Sequence, residues 1–183
     1  MKRTVWTFGL IAGGILSAMM LAVLPFQDSI GFDRGEVIGY TTMVLSFLLI
    51  FFGIRSYRDN VGGGTVSFAR AFVVGALITA VASACYVATW ELIYFKLAPD
   101  FSQKYAAYTI EKVKASGASQ AEIDKRVAEM QQFTVMYQNP VINSAITFLE
   151  PLPVGLVIAL VSAGILRRRR TGPESALAAS VVV

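Results

Sequence analysis

The chain has 183 residues, 55% of them hydrophobic, with a mean hydropathy of +0.60 and a net charge of +4. Soluble domains are nearer half apolar, so this composition points to one domain set in a membrane. Histidine is absent and Cys85 is the lone cysteine, which excludes intramolecular disulfides, a Cys/His zinc or haem site, and any Ser-His-Asp or Cys-His nucleophile. The excess of basic residues flanks apolar segments, as in membrane proteins, and forms no patch of the kind that grips nucleic acid.

Four stretches are long and apolar enough to cross a bilayer core, which needs roughly 20 residues as helix. They are residues 4–26, 37–54, 71–95 and 141–166. The first two carry no charge, the third carries Glu91 near its far end, and the fourth carries Glu150 well inside it. Helix is the expected form, because open chain in lipid leaves backbone groups unpaired. Lys2 and Arg3 before the first stretch also suit a signal peptide, but its apolar run exceeds the usual length and no small-x-small cleavage pattern follows, so it is expected to stay as a span.

The basic residues orient the spans. Lys2, Arg3, Arg55, Arg58, Arg70 and Arg167 to Arg170 all fall on one side of a chain that weaves in and out. The loop between spans one and two has Arg34 against Asp28, Asp33 and Glu36. The positive-inside rule then places both termini in the cytoplasm. Residues 1–170 form a single four-helix membrane domain on this reading, and 171–183 a mobile cytoplasmic tail.

The link from span two to span three contains Gly62-Gly63-Gly64, expected as a hinge. No Lys-Ser/Thr pair follows it, so it is not a P-loop. Residues 99–140 form the sizeable piece outside the membrane. Asp100 with Gln103, and Ser119 with Glu122, are capping signals, and Ser116-Gly117-Ala118 is a turn between them. Asn139-Pro140 interrupts the chain before span four. These signals predict an extracytoplasmic helical hairpin, about 101–115 and 120–138. Phe101, Tyr105 and Tyr108 line one face of its first helix, and Ile123, Val127, Met130 and Thr134 one face of its second, with Phe133 and Tyr137 beside them. The hairpin either caps the bundle or rises away from it.

Helices in lipid associate through small residues that let backbones approach. Gly9, Gly13 and Ser17 recur at every fourth position of span one, Gly75, Thr79 and Ser83 of span three, and Gly155, Ala159 and Ala163 of span four. Packing within the chain and homo-oligomerisation both use such faces. Span two is bulkier, with Phe47, Leu48, Leu49, Phe51 and Phe52, and is the expected lipid-facing helix. Trp6, Trp90, Tyr94 and Tyr57 lie near span ends, where such rings favour the interface.

The sharpest signal is the pair of carboxylates in apolar helices. A charge near a span's centre costs at least about 2.5–3.5 kcal/mol unless it is countered. Asn143 and Thr147 precede Glu150 by seven and three residues, on one helix face, and Pro151 and Pro153 follow it. On span three, Thr79, Ser83 and Glu91 share a face. Glu91 is expected either to meet Glu150 or to reach the interface beside Lys96 or Arg34. The candidate polar site is therefore Glu150, Asn143, Thr147, Glu91 and Ser83, with a structural lock as the plainer reading. No metal-ligand set and no catalytic residue is expected, and no cofactor.

The order of these features resembles a known family. The Gly-rich turn GGGTVSFARAF, the small-residue third span, the long helical insertion and the last span FLEPLPVGLVIALVSAGILRRRR are together similar to the bacterial membrane family catalogued as domain of unknown function 4199. Phe148-Leu149-Glu150, Gly155 and Ser162-Ala163 carry the most specific part of the likeness. The resemblance covers nearly the whole chain and implies a multi-pass protein of the bacterial inner membrane. It implies no activity and no ligand.

Two functional classes follow. One is a small non-enzymatic accessory or assembly factor whose outer hairpin engages a membrane-protein partner. The other is an oligomeric transporter or channel component with a proton, cation or small polar ligand site around Glu150. An intramembrane enzyme built on Glu91 and Glu150 lacks a nucleophile or metal set to accompany them.

Overall fold

The computed structural model describes residues 1–168, and the proposed tail at 171–183, with Arg169 and Arg170, lies outside them. Four helices in the described chain are long and apolar enough to cross a membrane: Lys2–Ile30, Phe32–Asn60, Phe68–Leu97 and Pro140–Leu166. By length and composition this is an all-helical, multi-pass membrane protein.

Span one is α1 (Lys2–Val23), continued through a 3-10 turn at Leu24–Phe26, where Pro25 withholds an amide, into the one-turn α2 (Gln27–Ile30). Gly31, at φ +76°, turns the chain into α3 (Phe32–Asn60), which runs past the apolar 37–54 window at both ends. The loop at 61–67 is a tight turn, with Gly63 and Gly64 at φ +60° and +82°. Val66 and Arg168 exchange backbone hydrogen bonds of 3.1 and 3.0 Å, which pin this loop to the end of span four. Of the tight or flexible turn that the glycine triplet allows, the structure shows the tight one, anchored to span four. Ser67 then caps α4 (Phe68–Leu92) by accepting from the Arg70 amide.

Beyond Leu92 the helix widens into a π turn, Ile93–Leu97, closed by the Ala98 amide on the Ile93 carbonyl at 2.7 Å. Pro99 follows, and its ring forces Ala98 out of the helical region, which ends the span. The hairpin is α5 (Phe101–Ala115) and α6 (Gln120–Tyr137), joined through Gly117 at φ +78°. Ser119 and Glu122 make the predicted capping box. Hydrogen bonds from Ser119 hold the Glu122 carboxyl below its ordinary value. Asp100, expected to cap α5, makes no cap bond and instead pairs with Lys104 at 3.1 Å. Asn139 caps α7 (Pro140–Leu149) with two backbone contacts. Pro151, which cannot donate, opens α8 (Pro151–Leu166) and breaks span four at Glu150.

The bundle places α1 and α8 at opposite corners, each packed on both α3 and α4. The small residues set these contacts. A Cβ added at Gly13 would lie 2.6 Å from Cys85, one at Gly75 would lie 2.7 Å from Ala159, and one at Gly155 would strike Thr79. The repeating faces are thus used within the chain.

Two sequence expectations are overturned. Span two is not given over to lipid: Leu48 and Phe52 are exposed, but Phe47, Ile50 and Ile54 are fully buried and supply the bulk of the core, because the small faces of spans three and four leave room for large side chains. Span one has the smallest buried share, 22% of its apolar window against 33% for span two. Of the four rings expected at the interface, Tyr57 and Tyr94 are buried and Trp90 is half-buried among aromatic neighbours. Only Trp6 is exposed as expected.

Candidate functional site

Span four changes neighbours at its break. Its first half, α7, packs on α4, whereas α8 packs on both α4 and α3. Withholding the Pro151 amide frees the helix to bend there, and at the hairpin end spans two and four separate. The wedge between them is a cleft of about 880 Å³, walled by the first three turns of α3, the end of span one, α4 and the inner faces of α5 and α6. Glu150 lies at the break and opens into it.

The Glu150 carboxylate accepts a hydrogen bond from the Tyr86 hydroxyl at 2.9 Å. Among the described residues it has no cationic partner. Tyr86 stands three residues after Ser83 and seven after Thr79, on the polar stripe already visible in span three, but nothing local in the sequence ties it to Glu150, 64 residues away. Glu36 and Tyr40, a turn apart on α3, face the same cleft. Glu36 sits just outside the apolar window and so carried no signal of burial or function.

Asn143 and Thr147 do not share the cleft chemistry with Glu150 in the way their spacing suggests. Both are buried, and they belong to a closed relay. The Trp90 indole N–H donates to the Tyr137 hydroxyl at 3.0 Å. Thr147 spends its own proton on Asn143 Oδ1 at 3.2 Å, so the Tyr137 hydroxyl is the donor in its 3.0 Å bond to Thr147. Asn143 Nδ2 then donates back to the Tyr137 carbonyl at 3.2 Å. This relay joins spans three and four to the base of the hairpin. Thr147, Trp90 and Tyr137 reach the cleft wall, while Asn143 is sealed behind them.

Glu91 does not meet Glu150, nor Lys96 or Arg34. It accepts from Ser144 Oγ at 2.9 Å, six residues before Glu150 on span four, which places it roughly 9 Å further along the helix axis at 1.5 Å per residue. That offset along the axis keeps the two carboxylates apart. Ser83 is fully buried, and its hydroxyl makes no hydrogen bond among the described residues. Glu91, Ser83 and Asn143 therefore lie outside the cleft, and Glu150 and Thr147 line it.

The hairpin roofs this space. Phe32, at the start of α3, packs against Phe101, Tyr105 and Tyr108 of α5 at ring centroid distances of 5.7, 5.4 and 5.0 Å. Lys104 pairs with Asp28 at 3.1 Å and Lys112 with Asp33 at 2.7 Å. The Asp33 and Tyr108 hydrogen bonds raise the Lys112 ammonium above its ordinary range, so it is fully charged at neutral pH.

The sequence of residues 7–168, from early in α1 to the end of the described chain, matches the model of a family described as "Protein of unknown function (DUF4199)". The chain belongs to this family. That match covers span one from residue 7, the other three spans, the hairpin and every residue of the cleft, so the cleft is built from family sequence throughout. No curated protein and no solved structure matches the chain. Among the described residues, no group of three or more His, Cys, Asp or Glu stands close enough to hold a metal ion.

Proposed function

We propose that the protein is a small non-enzymatic membrane protein that holds a proton, cation or small polar ligand in the cleft at Glu150, as a transporter or channel component. The observation that carries this is Glu150 itself: a carboxylate inside an apolar span, opening on a cleft, with a tyrosine as its partner. Ionisable groups inside membranes are costly and mark binding or conduction sites by default. A non-enzymatic role is supported by the separation of Glu91, held by Ser144, from Glu150, held by Tyr86, so these two cannot act as an acid/base pair. We place the protein in the bacterial inner membrane with cytoplasmic termini, a reading supported by Lys2, Arg3, Arg55, Arg58, Arg70 and Arg167 to Arg170, which all fall on one side of the weave. Four spans are few for a carrier acting alone, so transport requires self-association or a membrane-protein partner.

The test is thermal unfolding of detergent-purified protein, wild type beside Glu150→Gln, across pH and a panel of mono- and divalent cations. A wild-type shift that the variant loses supports a site at Glu150. Identical behaviour under every condition makes Glu150 a neutral lock and removes the reading.

The accessory-factor reading keeps one observation of its own. Val135 and Met136, on the side of α6 turned from the cleft, are 72% and 43% exposed. Of the apolar stripe expected on α6, Met130 and Thr134, with Phe133 and Tyr137 beside them, line the cleft, whereas Ile123 and Val127 do not. A specific partner retained by wild type and lost by Val135→Ser with Met136→Ser would favour it; equal retention would count against it.

A further inference from the structure

We propose that the cleft binds a hydrophobic organic cation, a free ammonium or phosphonium compound with an apolar body, with its charge at Glu150 and Glu36 and its body against the aromatic walls. This rests on the ligand reading of Glu150 and narrows it to a chemical class.

The charge balance of the cleft sets the sign. Four charged side chains line it: Lys112, Arg126, Glu36 and Glu150. Both cations are already matched, Lys112 by Asp33 at 2.7 Å and Arg126 by Glu129 at 3.0 Å. Among the described residues neither Glu36 nor Glu150 has a basic partner. The unmet charge is negative, and one of its two carriers, Glu150, lies within an apolar span, where an uncountered charge is costly. An anionic or neutral guest leaves that deficit in place, whereas a cation removes it.

The walls set the body. Nine aromatic side chains line the space, among them Tyr40, Tyr86, Trp90 and Tyr105. Ring faces attract cations and stack on apolar groups, and both terms grow where water is thin. The cleft already shows the interaction: the Lys112 ammonium lies 5.4 Å from the centroid of the Tyr108 ring. A bare inorganic ion would want several converging oxygens at close range. Here two carboxylates on different spans face a space of about 880 Å³, within the roughly 300–1,000 Å³ usual for small organic ligands.

The chain has two tryptophans, and Trp6 does not line this cleft, so Trp6→Phe leaves Trp90 as an internal reporter. In a non-ionic detergent, that protein is titrated with tetraphenylphosphonium and, separately, with tetraphenylborate, an anion of nearly the same size and shape. The expected result is saturable quenching of Trp90 by the phosphonium, at least tenfold weaker binding of the borate, and at least a tenfold loss of phosphonium affinity in Glu150→Gln and in Glu36→Gln. Glu36 is exposed on an early turn of α3, so its variant keeps the test standing if Glu150→Gln fails to fold. Equal binding of the two ions, or unchanged phosphonium affinity in the folded variants, overturns the proposal. If phosphonium does not bind while Glu150-dependent shifts with pH or inorganic cations persist, the organic-cation class is wrong and the ligand reading stands. If both are absent, both fail.

Discussion

At the scale of single residues, the intramembrane polar groups divide into a closed relay and the group that opens on the cleft, and on the reading proposed above the two should respond differently to mutation. Thr147→Val keeps shape but leaves both the Tyr137 hydroxyl and Asn143 Oδ1 without their partner in a buried relay. Buried groups orphaned in this way cost about 1–3 kcal/mol, so thermal unfolding should show a clear loss of stability with or without ligand. Tyr86→Phe removes one hydrogen bond at a residue that opens on the cleft, and interhelical hydrogen bonds in membranes are worth roughly 0.6–1.7 kcal/mol. It should therefore cost less than Thr147→Val in the same assay and alter the Glu150-dependent response instead. A larger loss for Tyr86→Phe would reverse the assignment. Asn143 and Thr147 were legible in the sequence as polar residues on one face. Their role was not, because the partner that defines it, Tyr137, lies on another helix beyond a proline.

At the scale of helices, close approach decides the packing, and glycine positions separate cleanly by what they face. A methyl group added at Gly13 meets Cys85 at 2.6 Å and the Ala82 backbone at 3.3 Å, while one added at Gly14 meets nothing within 4 Å. Gly13→Ala should destabilise by about 1–3 kcal/mol through overpacking of α1 on α4. Gly14→Ala, one residue along the same helix, should be neutral or slightly stabilising, since alanine is the better helix former by up to about 1 kcal/mol. Paired unfolding curves of the two variants check this directly. The small-residue repeat was readable from spacing alone. Which helix it served was not, since the same face suits a homodimer equally well.

For the molecule as a whole, the question is what holds the hairpin over the cleft. Its ion pairs to the first loop, Lys104–Asp28 and Lys112–Asp33, are solvent-exposed, and such pairs are weak and screened by salt. The seam of Phe32 against Phe101, Tyr105 and Tyr108 is the stronger tie, at about 0.5–1.5 kcal/mol for each aromatic pair beyond its buried area. Hydrogen exchange should therefore show α5 amides opening markedly faster in Phe32→Ala, whereas raising the salt concentration in wild type changes them little. The reverse order would make the hairpin an electrostatic lid.

What the sequence alone determined was most of what depends on near neighbours along the chain, the Asp100 cap excepted. Hydropathy located four spans, the Ser119–Glu122 box and Asn139-Pro140 bounded the second hairpin helix to within a residue, and the carboxylate in span four fell at the break that opens on the cleft. The tertiary structure decided which faces meet. It turned span two into the core, drew Tyr57 and Tyr94 inward from the interface, separated Glu91 from Glu150, and set Tyr86 against a carboxylate 64 residues away. The physical reason is that a helix forms from local hydrogen bonds and side-chain spacing. A cleft forms from the angle between helices, here set where Pro151 breaks span four and lets α7 leave α3.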